Sequence, residues 1–357
     1  MHILDRYLTK RFLTFFFFAI LASLAVYLIV DPIENLDKFL DKNIPWSEIG
    51  RYYLLYIPFI VYQTYPVAML LGTMFCIGGL TTKNELMAMT ASGIPLMRHL
   101  LLLTSLALLL SSFMFWWGET IVPEMNRERL AIWRQQVKGG EDWQLTDQGQ
   151  VYLQDRPGRV LHLDLYQPTT ETGYGVDLYE FVSGEIKLRI NARSMSWKKN
   201  HWELFKVVVR KFGPDGENVT RMENRDIELN VIPSDMVELQ VEPEEMSMEQ
   251  LIRFAERIES TGGTATRWRV DIYSKVALPF AGVIIVLFGV PISAVRRRSG
   301  VIFGIMISLL ISFIFFGIMQ MGKVLGYREM MDPWIASWMG NILFFFIGIF
   351  LYWRTPR

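Results

Sequence analysis

The chain has 357 residues, 51% of them hydrophobic and 20% charged, so its apolar and polar positions must be segregated rather than mixed along amphipathic elements. Its 36 basic and 36 acidic side chains cancel, which removes any argument from net charge for a nucleic-acid-binding protein. One cysteine, Cys76 in an apolar run, excludes a disulfide framework, and four dispersed histidines (His2, His99, His162, His201) do not suggest a metal site.

The N-terminus begins with bases and turns apolar over 12–30. That run is too long for a signal-peptide core, and Asp31-Pro32-Ile33-Glu34 follows it instead of a small-residue cleavage site, so it reads as a retained spanning helix. About 20 apolar residues are needed to cross the hydrocarbon core. Six stretches qualify: 12–30, 52–80, 100–118, 276–295, 301–322 and 334–353. The second carries Pro58 and Pro66 and should be tilted and kinked. None of the six contains Asp, Glu, Lys, Arg or His; their polar groups are neutral ones such as Gln63, Gln320 and Asn341. Ion-coupled transporters keep ionisable groups inside the membrane, so energy for any transport would come from another subunit.

Bases concentrate in alternate loops: Arg6, Lys10 and Arg11 at the start, Lys83 and Arg98 after the second span, Arg296-Arg297-Arg298 between the fourth and fifth, and Arg354 and Arg357 at the end. With six spans these share one side, which places both termini in the cytoplasm and the large insertion outside. The expected organisation is membrane helices over 1–120, a β-rich domain with flanking helices over 121–268, and membrane helices over 269–357.

Between the second and third spans, TTKNELMAMTASGIPLMRH contains a capping-box pattern from Thr82 to Glu85, predicting a short helix that ends near Ala91 and is broken by Ser92, Gly93 and Pro95. Such an amphipathic helix suits docking into a groove on a partner, or lying on lipid with Glu85 as a cap; the residues alone leave both open. In the insertion, 124–137 reads as a helix leading out of the third span. Alternating stretches over 149–167, 175–222 and 225–233, punctuated by Pro-Gly, Ser-Gly and Pro-Asp-Gly, predict a sandwich, jelly roll or barrel-like unit. Ser247 to Gln250 fits a capping box opening a helix with Leu251, Phe254, Ala255 and Ile258 on one face. The insertion shows no nucleophile–base arrangement, so no catalytic residue is assigned. Residues 317–324 imitate a phosphate-binding loop, but no Ser or Thr follows Lys323 and no strand precedes it.

Four stretches together resemble the LptF/LptG family of lipopolysaccharide-export ABC permeases: LDRYLTKRFL (4–13), 65–94 from YPVAML to TASGI, 267–313 from RWRVDIY to LLISF, and 326–354 from GYREMMD to LYWR. The opening is nearer the LptG branch. The resemblance implies an α+β membrane protein of six transmembrane helices with a periplasmic β-jellyroll-like domain inserted between helices 3 and 4. It implies a non-catalytic, multi-pass subunit of the bacterial inner membrane without a cofactor of its own. Its implied partners are an LptB-type ATPase dimer, an LptF-type paralogue, LptC, a periplasmic LptA-type bridge, lipopolysaccharide and membrane lipid. It further implies that Glu85, Leu86, Ala91 and Gly93 belong to the ATPase-docking helix, and that Phe313, Phe316 and Met319 line a cavity for acyl chains. Phosphates of the lipid are expected to meet Lys38, Lys42, Arg127, Arg129 and Arg134, Lys38 and Arg134 foremost. The alternative for each base is a solvated charge paired with Asp37, Asp41, Glu124 or Glu128. The residues by themselves also leave open a permease for another lipid or lipoprotein, and a membrane-anchored sensor or scaffold.

Overall fold

The computed structural model describes residues 3–42, 44–137, 148–182, 185–198, 201–213, 216–233, 236, 242–260, 264–294 and 301–354. They form two compact units, Met1–Arg129 with Thr266–Arg357, and Leu130–Ala265. The basic turn 296–298, Arg357, and the Ser-Gly and Gly-Gly turns at 183–184 and 262–263 lie outside the described residues.

The first unit contains α1 (Ile3–Leu40), α2 (Trp46–Thr82), α3 (Glu85–Ala91), α4 (Leu96–Thr120) and the start of α5 (Val122–Ile132). The chain returns to it as α7 (Thr266–Ala294), α8 (Val301–Tyr327) and α9 (Pro333–Arg354), after α6 (Met248–Ser260) in the second unit. Among the described residues six helices, α1, α2, α4, α7, α8 and α9, are long and apolar enough to cross a membrane, one for each expected span.

α1 is 38 residues long, twice the apolar window, because the helix does not stop at Asp31-Pro32. One local hydrogen bond and contacts with α2 carry the polar turns beyond it. The Tyr53 hydroxyl donates to the Asp31 carboxylate (2.9 Å), Asn35 Nδ2 donates to the Asp31 carbonyl (3.1 Å), and the Phe39 ring meets Tyr52 and Tyr53 edge-on. Further along, Leu8, Phe12, Phe16 and Ala19 of α1 pack with Ala68, Met69, Cys76 and Leu80 of α2, Leu103 and Ala107 of α4, and Val286 and Val290 of α7. Close helix crossings use small residues, as expected where lipid tails are as apolar as leucine and helix association depends on packing. At Gly322 of α8 a Cβ would collide with the Ala336 carbonyl of α9. Residues 317–324 are therefore helix interior at a crossing, not a phosphate-binding loop.

The second unit holds β1 (Gln148–Arg156), β2 (Arg159–Gln167), β3 (Thr172–Val182), β4 (Glu185–Lys198), β5 (His201–Gly213) and β6 (Gly216–Ile227). These form one antiparallel sheet in the order β1-β2-β3-β4-β5-β6. With the six helices this is the expected α+β membrane protein, but the strands follow one another as a meander, without Greek-key crossovers among the described residues. All five ladders skip one row, Gln150–Asp164–Gly175–Arg193–Lys206–Glu223. Gly175 and Lys206 take φ of 63° and 52° there. Across that row the buried positions change parity: Leu161 and Leu163 give way to Tyr166, Ala192 to Met195, and Val207 to Leu204. A crease in every strand thus keeps one apolar face continuous where simple alternation would have turned it outward.

Past Ile227 the chain leaves the sheet, so the expected strand over 225–233 survives only in its first residues. Residues 228–231 form a strap tied to the opposite edge of the sheet. Glu228 O accepts from Arg159 Nη2 (2.7 Å), Asn230 N donates to Asp155 Oδ1 (2.6 Å), and Val231 O accepts from the buried Trp202 indole (2.8 Å). Asp155 and Arg159 are themselves buried and ion-paired at 2.7 Å. α6 starts at the expected capping box: Ser247 N donates to Gln250 Oε1 and Gln250 N donates to Ser247 Oγ. Leu251, Phe254 and Ala255 are its buried residues.

Candidate functional site

α3 is anchored on one side and open on the other. The predicted cap does not form, because α2 runs through Thr82, whose hydroxyl donates back to Gly78 O. Asn84 instead adopts a left-handed conformation (φ 61°) and its carbonyl accepts from Ala88 N, so the helix starts at Glu85. Glu85 accepts a hydrogen bond from the Tyr7 hydroxyl (2.9 Å) and pairs with Arg11 at 3.5 Å, while Arg11 also donates to Tyr7 (2.8 Å). Leu86 is buried in the bundle core and Met89 packs against it. Met87, Ala88, Thr90 and Ala91 face outward. Gly93, at φ 87°, closes the helix in a conformation that side chains resist. Arg98 adds a second tie, to Asp5 of α1 (3.1 Å). Of the four predicted docking residues, Glu85 and Leu86 fasten the helix, and Ala91 and Gly93 lie on its exposed side.

The five bases expected to meet phosphate differ in what already holds them. Lys38 donates to Asn35 Oδ1 (2.7 Å) in the last turns of α1, and Lys42 is exposed just beyond. Arg127 is exposed on α5. Arg129 donates to Asn126 Oδ1 (2.9 Å) and the Tyr52 hydroxyl (3.1 Å), and its guanidinium sits over the Tyr56 ring at 4.1 Å. Such a cation–π contact contributes about 0.5–2 kcal/mol. Arg134 makes a two-pronged pair with Glu245, at 2.9 and 2.5 Å, and Glu245 is fully buried. Its partner is thus a distant acid, not the nearby Glu124 or Glu128. A fork already filled by one carboxylate has little left for a phosphate.

The acyl-chain candidates on α8 divide by face. Phe313 is 78% exposed, Phe316 is partly buried, and Met319 is buried against α9 beside Gly340. Phe313 falls on one outward stripe with Met306, Leu310, Met321 and Val324.

Sequence reasoning missed a polar cluster at the end of the bundle away from α3. Asp271 of α7 accepts from the Tyr327 hydroxyl (2.5 Å) and pairs with Lys323 at 3.4 Å, and Lys275 pairs with Glu119 of α4 at 3.6 Å. These residues flank the apolar windows. Their one signal was the repeated four-residue spacing of 271/275 and 323/327.

The family model for "Lipopolysaccharide export system permease LptF/LptG" matches residues 6–354, nearly the whole chain. The chain belongs to the LptF/LptG family. The lipopolysaccharide export system permease protein LptG of Escherichia coli (strain K12) is 23% identical over 361 residues, covering 99% of this chain and 98% of its own length. The protein of the same name from Haemophilus influenzae (strain Rd) is 22% identical over 290 residues, covering 80% and 79%. The curated relatives thus carry the LptG name, in keeping with the opening of the sequence. This LptF/LptG member is a multi-pass membrane protein with a β-sheet unit in the middle of its chain.

Proposed function

We propose that this chain is the transmembrane permease subunit of an ATP-driven exporter that extracts lipopolysaccharide from the inner membrane and passes it to a periplasmic bridge toward the outer membrane. The family match over 6–354 supports the substrate class. The observation that carries the coupling role is the two-sided build of α3, fixed to the bundle by Glu85 and Leu86 and offering Met87, Ala88, Thr90 and Ala91 outward. A short helix clamped to the transmembrane bundle can relay force from a protein that grips its other face. In this reading α3 lies in the cytoplasm against an LptB-type ATPase dimer, both termini are cytoplasmic, an LptF-type paralogue stands beside the bundle, and the β-unit faces LptC and an LptA-type bridge. ATP hydrolysis belongs to the ATPase, and this subunit makes and breaks no covalent bond.

Lys38, Lys42 and Arg127 are the bases we assign to the lipid phosphates, because all three are exposed. Arg129 and Arg134 are assigned to holding structure, given their aromatic and carboxylate partners. Phe313 is the acyl-chain contact of choice, because Met319 is enclosed. The described strands lie in one sheet whose apolar face is filled by Trp202, Tyr166 and the strap, so a lipid passing over that face would first have to displace residues 228–231.

The test separates the two faces of α3. Met87→Asp should cut the ATPase recovered with the complex about tenfold while leaving its melting temperature unchanged, since Met87 is exposed and outside the bundle core. Glu85→Lys should lower both, because it sets a cation against Arg11. Equal ATPase recovery from wild type and Met87→Asp would reject the docking face.

A further inference from the structure

The N-terminal end of α1 carries an open groove of ≈ 410 Å³ lined by Arg6, Thr9, Lys10, Leu13, Thr14 and Phe17. These residues fall at spacings of three and four, so they form one helix face, the face turned away from the buried Leu8, Phe12 and Phe16. The groove is graded. Two bases and the Thr9 hydroxyl occupy the end nearest the chain start, and Leu13, Thr14 and the exposed Phe17 continue it along the apolar part of the span.

The charges in the groove are treated differently from their neighbours. Arg11 is paired with Glu85 and Arg98 with Asp5. Arg6 and Lys10, one turn apart, have no ion-pair partner among the described residues, and no acidic side chain lines the groove. Asp5 and Glu85, the acids near this end of α1, are the ones engaged by Arg98 and Arg11. Two uncompensated cations above an apolar floor, on the outer face of a membrane-spanning helix, are complementary to a molecule with an anionic head and a hydrocarbon tail.

We propose that Arg6, Thr9 and Lys10 seat the phosphodiester of an anionic phospholipid from the leaflet at this end of the bundle, with one acyl chain lying along Leu13 and Phe17. Arginine supplies a fork to the phosphate oxygens and lysine a point charge, with the Thr9 hydroxyl as an additional donor, while the Thr14 hydroxyl donates to the Lys10 carbonyl (2.8 Å). The proposal needs only the membrane placement of α1 and stands apart from the export reading. The seat lies at the opposite end of α1 from Lys38 and Lys42.

The intact chain, with whatever subunits purify with it, would be reconstituted in nanodiscs of phosphatidylcholine containing a minor fraction of phosphatidylglycerol. It would then be released into detergent, and retained lipid counted by native mass spectrometry. Wild type should keep phosphatidylglycerol in preference to phosphatidylcholine. Arg6→Gln with Lys10→Gln should lower that retention about tenfold, each base near a membrane surface being worth a few-fold. Lys83→Gln, which removes an exposed base at the same end of the bundle but outside the groove, should change it little. An equal fall with Lys83→Gln as with Arg6→Gln alone would mean a diffuse surface attraction and overturn the seat. Unchanged lipid retention in the double variant, with loss of a co-purifying subunit, would overturn it too, by making the groove a protein contact. Melting curves of each variant exclude unfolding as the cause of any loss.

Discussion

The helical bundle and the β-unit bury polar groups in opposite ways. In the bundle, charge pairs gather at the two ends: Arg11–Glu85 and Arg98–Asp5 at one, Lys275–Glu119 and Lys323–Asp271 at the other. The middle is closed by small residues that let helices touch, as at Gly322 against Ala336. The β-unit places an ion pair, Asp155–Arg159, inside its core and hangs the strap on it. The strap has no strand partner, so its backbone groups need side-chain partners once buried. Membrane helices satisfy their own backbone internally and leave only side-chain fit to be decided between them. The same requirement, that no buried polar group stand alone, therefore gives shape-limited contacts in one region and hydrogen-bond-limited contacts in the other.

That contrast is open to breaking. The largest effect is expected from Asp155→Ala, which leaves the Arg159 guanidinium buried without its partner and frees Asn230 N. Removing one member of a buried pair costs about 3–5 kcal/mol. Chemical unfolding of the full chain in detergent, followed by tryptophan fluorescence, would show it. Asp155→Leu combined with Arg159→Met should recover a large part of the loss. If the single variant unfolded like wild type, the strap would not depend on the pair.

Smaller, and confined to the bundle, is Gly322→Ala. The added methyl meets the Ala336 carbonyl, so α8 and α9 must separate, at about 1–3 kcal/mol. Gly317→Ala, on the same helix with open space around it, should cost nothing measurable. Paired thermal melts of the two variants sharpen the comparison, since equal effects would point to helix propensity rather than to the crossing.

The smallest effect at accessible conditions is a pH dependence in the β-unit. Burial, with Glu171 adding to it, pushes the Tyr166 phenol up to about 12. An acid with a raised folded-state value is most stabilising while protonated in both states. Stability from this group is therefore intact below about pH 10 and falls by up to about 1.4 kcal/mol per unit between about 10 and 12. Tyr166→Phe should flatten that alkaline limb in pH-dependent unfolding.

How much of this could be read in advance differs between the same two regions. Each of the six apolar windows became a helix, because a run of about 20 apolar residues has one physical solution in a membrane. α3 and the capping box of α6 were also legible, being set by neighbours three or four residues apart. The starting cap of α3 was misplaced at Thr82, because whether α2 continues depends on its packing and not on the local motif. In the β-unit, alternation gave strands but concealed the crease at Asp164, Gly175, Arg193 and Lys206, where the period of two is interrupted in register across successive strands, a register that only their pairing sets.

Among the site residues, charge type followed from the sequence, but the partner each charge already has did not. Arg134 looked free beside Glu124 and Glu128, yet is held by Glu245, 111 positions away. Arg129 is held by tyrosines of α2, while Arg6 and Lys10, ordinary flanking bases in the sequence, have no ion-pair partner among the described residues. The sequence by itself determined the spans, the inserted β-rich segment and the family, since these rest on composition and short-range spacing. Only the tertiary structure decided which charges are already neutralised, where the helices touch and how the strap closes the sheet, because each is a meeting of residues that the chain brings together only on folding.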